Sequence, residues 1–333
     1  MSEATILNRF SDRVRANPRS IVFPEGDDPR VLEAVLRLIA DGLIARAVLF
    51  GDRDRIERAV GANASPGGRI GMADPGVLSS DARYREEYRR ARGLGALEGE
   101  ILDRAMRDPV SLGALMLRLG EVDGFIGGVR TTTAEILRTG IGVVKADRRV
   151  GVVTAFSIVT AGAEGGTDKG LYVIADPVVN PDPTAGVLCK IAEAAAVFSR
   201  QFLGIRPRIA FLSYSTRGSG AGKSVDKMRL AAQRARERMP EIVVDGELQL
   251  DAALSPEIAR AKAPGSAVEG RANVLLFPNL DSANIGVKLI RYFGNARVIG
   301  PVIYGLARPY NDISRAATVE DIVNLAMITQ LQS

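Results

Sequence analysis

The chain has 333 residues, 46% of them hydrophobic and 25% charged, enough to bury two cores and unlike a disordered or fibrous polypeptide. Its formal charge is +5, but the arginines are scattered among acids, as in the run from Tyr84 to Arg92 that carries Glu86 and Glu87, a pattern that suits small anionic substrates better than nucleic acid. With one cysteine and no histidine, internal disulfides, Ser-His-Asp or Cys-His catalysis and His-based zinc sites are excluded. The opening Met1-Ser2-Glu3-Ala4-Thr5 lacks the basic-then-apolar pattern of a secretory signal. No apolar run approaches the roughly 20 residues that span a bilayer. A reducing, cytoplasmic setting is expected.

Ser20-Ile21-Val22-Phe23-Pro24 predicts a strand, Arg30 to Ile44 an amphipathic helix, and Ala47 to Gly51 the next strand. A helix containing Leu112 to Leu119 precedes the strand Gly124 to Gly128. Further strands are expected at Val150 to Ile158, Leu171 to Ala175, Ile209 to Ser213, Ile242 to Asp245, Val274 to Pro278 and Val298 to Ile303. A last helix runs from Val319 to Leu331. The Gly-rich polar stretches at 61–80 and 161–170 read as loops. This alternation predicts an α/β protein with mostly parallel sheets covered by helices. In such sheets ligands bind beyond the carboxyl ends of the strands.

Three polar features follow predicted strands or sit on predicted helices. Cys189 lies in an amphipathic pattern and reads as a core thiol rather than a nucleophile. The stretch from Ser213 to Ser224 ends in Gly222-Lys223-Ser224, like a phosphate-binding P-loop. The glycine required five positions earlier is Arg217, so a glycine-rich turn opening a helix is the better reading. In Thr131-Thr132-Thr133-Ala134-Glu135-Ile136-Leu137-Arg138, hydroxyls, free N–H groups at a helix start and an arginine together form either a phosphate cradle or a plain threonine cap.

Longer composite stretches are more specific. They include Phe23-Pro24-Glu25-Gly26, Gly120-Glu121-Val122-Asp123-Gly124, Ala175-Asp176-Pro177-Val178-Val179-Asn180 and Leu212-Ser213-Tyr214-Ser215-Thr216-Arg217-Gly218-Ser219. The last third adds Asp245-Gly246-Glu247-Leu248-Gln249, Lys262-Ala263-Pro264-Gly265-Ser266, Pro278-Asn279-Leu280 and Gly305-Leu306-Ala307-Arg308-Pro309-Tyr310-Asn311-Asp312-Ile313-Ser314-Arg315. In these stretches, in order along nearly the whole chain, the sequence resembles the phosphate acetyltransferase (phosphotransacetylase) family.

The resemblance implies two α/β domains with mostly parallel sheets, isocitrate/isopropylmalate dehydrogenase-like, an active-site cleft between them, and a homodimer. The domains would comprise residues 1–149 plus 300–333, and 150–299. It implies an acyltransferase acting on acetyl-CoA, phosphate and acetyl phosphate in a ternary complex. Coenzyme A is then a substrate, and no metal or permanently bound cofactor is needed. Asp321 matches the family's proposed base, Ser314 the serine that donates to the reacting carbonyl, and Arg315 a phosphate-binding arginine. Arg138 and Thr133 map to cleft-lining residues, with Thr132 beside them, and Arg92 is a candidate for coenzyme A. Each keeps a plain structural alternative: Asp321 as a helix cap after Thr318, Ser314 as a turn residue. The sequence departs from the family at Thr131, where histidine is usual, and at Tyr292, where a coenzyme A-contacting arginine falls. The rival readings are a phosphate butyryltransferase, a regulatory domain like the tail of large malic enzymes, and, on fold alone, a dehydrogenase.

Overall fold

The computed structural model describes residues 3–61, 68–93, 99–160, 170–294 and 296–332; most of the loop expected at 161–170 lies outside them. The chain divides into two compact units, one of Leu7–Asp147 with Leu306–Ser333, the other of Met1–Ile6 with Arg148–Gly305.

After α1 (Glu3–Ala16), the chain runs through β1 (Ser20–Phe23), α2 (Pro29–Ala40), β2 (Arg46–Leu49), α3 (Arg53–Val60) and β3 (Ile70–Met72). Then come α4 (Pro75–Ser80), α5 (Ala82–Arg92), α6 (Gly99–Ala105), α7 (Pro109–Leu119), β4 (Gly124–Gly127) and α8 (Thr133–Thr139). A π-helical turn at Gly140–Val144 continues α8. The other unit contributes β5 (Thr154–Thr160), β6 (Leu171–Ala175), α9 (Ala185–Phe198), β7 (Arg208–Leu212), α10 (Lys223–Arg238) and β8 (Val243–Leu248). It continues with α11 (Leu250–Leu254), α12 (Pro256–Lys262), β9 (Val274–Leu276), α13 (Leu280–Phe293) and β10 (Arg297–Tyr304). The chain ends with β11 (Tyr310–Asp312) and α14 (Val319–Leu331).

The first sheet has the order β11-β4-β1-β2-β3, and its recorded pairings are all parallel. Parallel strands connected through helices are covered on both faces, and β1 accordingly buries Ile21, Val22 and Phe23 together. The helices form where capping and periodicity agree. In α2, the Asp28 side chain accepts from Arg30 N, Pro29 opens the first turn, and Val31, Leu32, Val35, Leu38 and Ile39 recur on the buried face. In α7, Asp108 caps the start and Gly120 ends the helix in the left-handed conformation. Phe125 stacks on Tyr310 at 4.0 Å between ring centroids, and this pair joins Val22, Leu112 and Leu115 in the unit's core.

The second sheet has the order β10-β5-β6-β9-β7-β8. It is parallel except where β5 pairs antiparallel with β6 and β10. Cys189 is buried in α9, as a core thiol should be.

Several elements differ from the sequence expectation for physical reasons. The stretch at 61–80 contains β3 and α4, both short and interrupted by glycine, so neither shows a period. The strand expected at Val150 to Ile158 begins only at Thr154 and continues to Thr160. The short strand β11 was hidden because Asn311 and Asp312 are polar, although both are buried.

Candidate active site

β4 and β11 are neighbouring parallel strands, with Asp312 opposite Gly127. The loops beyond their carboxyl ends, 128–132 and 313–318, therefore emerge side by side, and Ile313 N donates to Gly127 O at 2.8 Å. The first loop is wrapped around one buried carboxylate. Glu25 Oε2 accepts from Gly128 N at 2.7 Å and Val129 N at 2.9 Å. Its Oε1 accepts from Arg130 N at 2.9 Å, Thr131 N at 2.6 Å and Thr131 Oγ1 at 2.8 Å. Five donors on one side chain fix the loop's path and satisfy the burial of the charge. Gly128, at φ +116°, is required here: a Cβ would lie 2.3 Å from Asp312 Oδ1 and 2.5 Å from Ile313 O.

A single guanidinium ties the two loops together. Arg30 Nη2 donates to Val129 O at 3.2 Å, while its Nη1 donates to Arg315 O at 2.7 Å and Ala317 O at 3.1 Å. Its remaining donors reach Asp28 at 3.0 and 3.1 Å. The rigid planar fork suits this work. Burial alone would raise the Asp28 carboxyl, but the Arg30 contacts outweigh it and the net direction is downward. Arg130 pairs with Asp27 in the same loop cluster.

Five of the sequence candidates gather in the loops and first helical turns of these two strand–loop–helix units. Ser314 is exposed, and its Oγ accepts from Ala316 N at 3.2 Å. Arg315 beside it is exposed, with its backbone held by Arg30. Asp321 is half-buried in the first turn of α14 and closes a capping box: its Oδ2 accepts from Thr318 N and Thr318 Oγ1, each at 3.0 Å, while Asp321 N donates to Thr318 Oγ1 at 3.2 Å. Thr132 caps α8 in a like box with Glu135. Thr133, the first residue of α8, is exposed, with its Oγ1 2.7 Å from Asp312 Oδ2.

The other two lie elsewhere in the same unit. Arg138 is exposed near the end of α8 and opens on a cavity of about 500 Å³ shared with Tyr88, Arg104, Ser111 and Thr131. Arg92 ends α5, with its guanidinium laid across Gly142.

Sequence reasoning assigned no role to Glu25, Arg30 or Asp312. Glu25 and Asp312 stood inside quoted signatures, where an acid flanking a glycine-rich or Ser-Arg turn was the available signal. Asp312 is 2% exposed, and burial, reinforced by the nearby charge of Glu25, pushes its carboxyl up to about 7 against the opposing hydrogen bond from Thr133.

The loop from Ser213 to Gly222 does not have the form of a P-loop. It folds around Glu247, whose Oε1 accepts from Gly218 N at 2.8 Å and Ser215 Oγ at 3.2 Å, while Arg229 pairs with the same carboxylate. Among the described residues, no group of three or more His, Cys, Asp or Glu is placed to hold a metal ion.

Comparison with known proteins decides the family. The profile described as "Phosphate acetyl/butaryl transferase" matches residues 5–330. The chain belongs to that family. It is 37% identical over 332 residues to a phosphate acetyltransferase of Thermoanaerobacterium thermosaccharolyticum, covering 99% of each chain. It is 39% identical over 327 residues to the phosphate acetyltransferase of Paracoccus denitrificans, covering 98% of this chain and 99% of the relative. Its fold superposes on a phosphotransacetylase from Streptococcus pyogenes with a TM-score of 0.88 at 34% identity, covering 100% of this chain and 99% of the other. Membership makes the chain an acyltransferase, and the exposed Ser-Arg pair and capped acid of the β11–α14 unit are the family member's candidate chemistry. Among the described residues, no helix is long and apolar enough to cross a membrane.

Proposed function

We propose that the protein reversibly transfers an acetyl group between coenzyme A and inorganic phosphate, with both substrates bound together. In the direction of acetyl-CoA formation, Asp321 accepts the thiol proton and the sulfur attacks the acetyl carbon of acetyl phosphate. The S–C bond forms, the C–O bond to phosphorus breaks, and phosphate leaves with the electron pair. Ser314 Oγ accepts from Ala316 N and keeps its own hydrogen for the carbonyl oxygen as that oxygen gains charge. Arg315 and Arg138, with the Thr132 and Thr133 hydroxyls, hold the phosphate, since guanidinium grips an oxyanion with two parallel donors. Arg92 contributes to coenzyme A binding. The protein works as a homodimer in the cytoplasm, with coenzyme A as substrate and no resident cofactor.

The observation that carries this reading is that Ser314, Arg315 and Asp321 stand on one loop–helix unit whose backbone is clamped by Arg30. Preorganised groups of this kind accelerate acyl transfer without a covalent intermediate. A thiol-release assay with acetyl, propionyl and butyryl coenzyme A plus phosphate tests it. Acetyl-CoA should react fastest; preference for butyryl-CoA would move the protein to the butyryl branch, and no turnover of any would overturn the proposal.

A further inference from the structure

Asp312 is a buried acid that the reaction scheme leaves without work. It ends β11, two residues before Ser314, and is 2% exposed. Its Oδ2 lies 2.7 Å from Thr133 Oγ1. Its Oδ1 is buried with no hydrogen-bond partner among the described residues, in the space that a Cβ on Gly128 would need. An ionised carboxylate presents about four acceptor sites, and here one is used. Among the described residues no cation acts on it. The loop guanidiniums of Arg30 and Arg130 are paired with Asp28 and Asp27. The charged group that faces Asp312 is Glu25, another acid, occupied by its own five donors. On α8, Glu135 is engaged by Thr132; on β11, the Tyr310 phenol donates to Ile136 O. A buried anion with one partner and an acidic neighbour is unfavourable, whereas a neutral acid needs only one acceptor for its proton.

We propose that Asp312 is a positioning residue: as the neutral acid it donates its proton to Thr133 Oγ1, and this turns the Thr133 hydroxyl hydrogen outward toward the substrate's phosphate oxygens. This inference rests on the function proposed above for the identity of that anion. The hydroxyl has one hydrogen. When Asp312 is ionised, that hydrogen must point inward to Oδ2, and the exposed side of Thr133 shows the anion only lone pairs backed by a negative charge. When Asp312 is neutral, the same hydroxyl becomes a donor. Burial pushes the Asp312 carboxyl up to about 7, so the change falls near neutral pH. The sign follows: the donor form prevails below that value and is lost as pH rises through it.

The test has two arms. Difference infrared spectroscopy of the intact protein near pH 5.5 should show a protonated-carboxyl C=O band that is lost near pH 8.5 and absent from Asp312→Asn. Calorimetric titration with inorganic phosphate at both pH values reads the consequence. Phosphate ionises in the same range for every variant, so the comparison is between proteins. Wild type and Thr133→Ser should lose about tenfold more affinity across the interval than Asp312→Asn or Thr133→Val, the worth of one hydrogen bond to a charged group. If Asp312→Asn does not fold, the serine and valine pair carries the same comparison. No band at pH 5.5, or parallel losses in all proteins, overturns the inference. An acetyl-transfer assay without turnover would overturn the proposed function alone, since neither arm depends on activity.

Discussion

The starts of α8 and α14 are the same device used twice on adjacent strands. Each opens with a threonine whose hydroxyl accepts from the N–H three residues on, and each has an acid at that third position bonding back to the cap. The Thr132–Glu135 contacts run from 2.7 to 3.3 Å, the Thr318–Asp321 contacts from 3.0 to 3.2 Å. What differs is the body behind the box. α8 has seven residues, of which Ile136 is the buried one, and it passes directly into a π-helical turn. α14 has 13 residues and is buried from Ile322 to Gln330. Thr329 is bonded by Asn311 Nδ2, and Gln330 joins Leu43 O to Arg19 N. A carboxylate on a helix locked at its far end is held to a fixed geometry, whereas one on a short exposed helix is a cap. A capping box therefore argues neither for nor against chemistry.

Replacing each acid by its amide separates the two boxes most widely. An Asp321→Asn enzyme retains shape and capping ability, because Asn caps about as well as Asp, but loses basicity. Its kcat should fall roughly 10²–10⁴-fold with little change in Tm. Glu135→Gln should leave kcat within about threefold, because Glu135 bonds the cap residue Thr132 and is assigned no proton transfer. Steady-state kinetics beside thermal melts decide it. Normal turnover with early melting of Asp321→Asn would reduce that carboxylate to a cap like its counterpart.

The buried acid between the two boxes gives the next largest effect. Asp312 titrates near 7 in the fold, against 3.8 for an unperturbed aspartate. A raised acid contributes stability that is full below the unfolded value and is lost as pH rises through the folded one. At roughly 1.4 kcal/mol per unit, ionising Asp312 costs at most about 4 kcal/mol between pH 4 and 8. Asp312→Asn, which cannot ionise, should be relatively more stable than wild type at pH 8 than at pH 5. Parallel stability curves from denaturant melts would remove the elevated carboxyl.

Arginine truncation separates the arginines proposed to grip phosphate from the one proposed to grip coenzyme A. Arg315→Ala should lower kcat/KM for phosphate on the order of tenfold to a hundredfold, the value of a charge-assisted pair. Arg138→Ala should lose a comparable amount, and Arg92→Ala less. Equal losses at Arg315 and Arg92 would dissolve the distinction between the loop arginine and the α5 arginine.

Much of this region was legible because its signals are local. Thr318 followed by an acid and an apolar run marks α14, and its bounds were read as they stand. The alternation of apolar runs and helical periods gave the β-α order for the same reason. The supports of the site were not legible, because their partners are remote in sequence. Glu25 shapes a loop about a hundred residues away, and Arg30 pins one at the other end of the chain. Neither role leaves a periodicity or spacing. Asp312 was hidden twice, as a polar residue in a three-residue strand and as an acid whose burial only the packed fold reveals.

The smallest effects come from the caps themselves, and they sharpen the comparison because both threonines do the same structural work. Thr132→Ala and Thr318→Ala should each cost about 1 kcal/mol, a fall in Tm of about 2–4 °C for a cooperative unit of this size. Their kinetic signatures should diverge. Thr318 Oγ1 and N both bond Asp321 Oδ2, so losing the hydroxyl frees the proposed base to leave its orientation and kcat falls. Thr132 orients Glu135 and stands beside Thr133, the residue proposed to face phosphate, so its loss should raise KM for phosphate with kcat nearly retained. Serine at either position restores the hydroxyl and should restore both parameters. If Thr132→Ala lowers kcat while Thr318→Ala alters only KM, the assignment of chemistry to α14 and of binding to α8 is reversed.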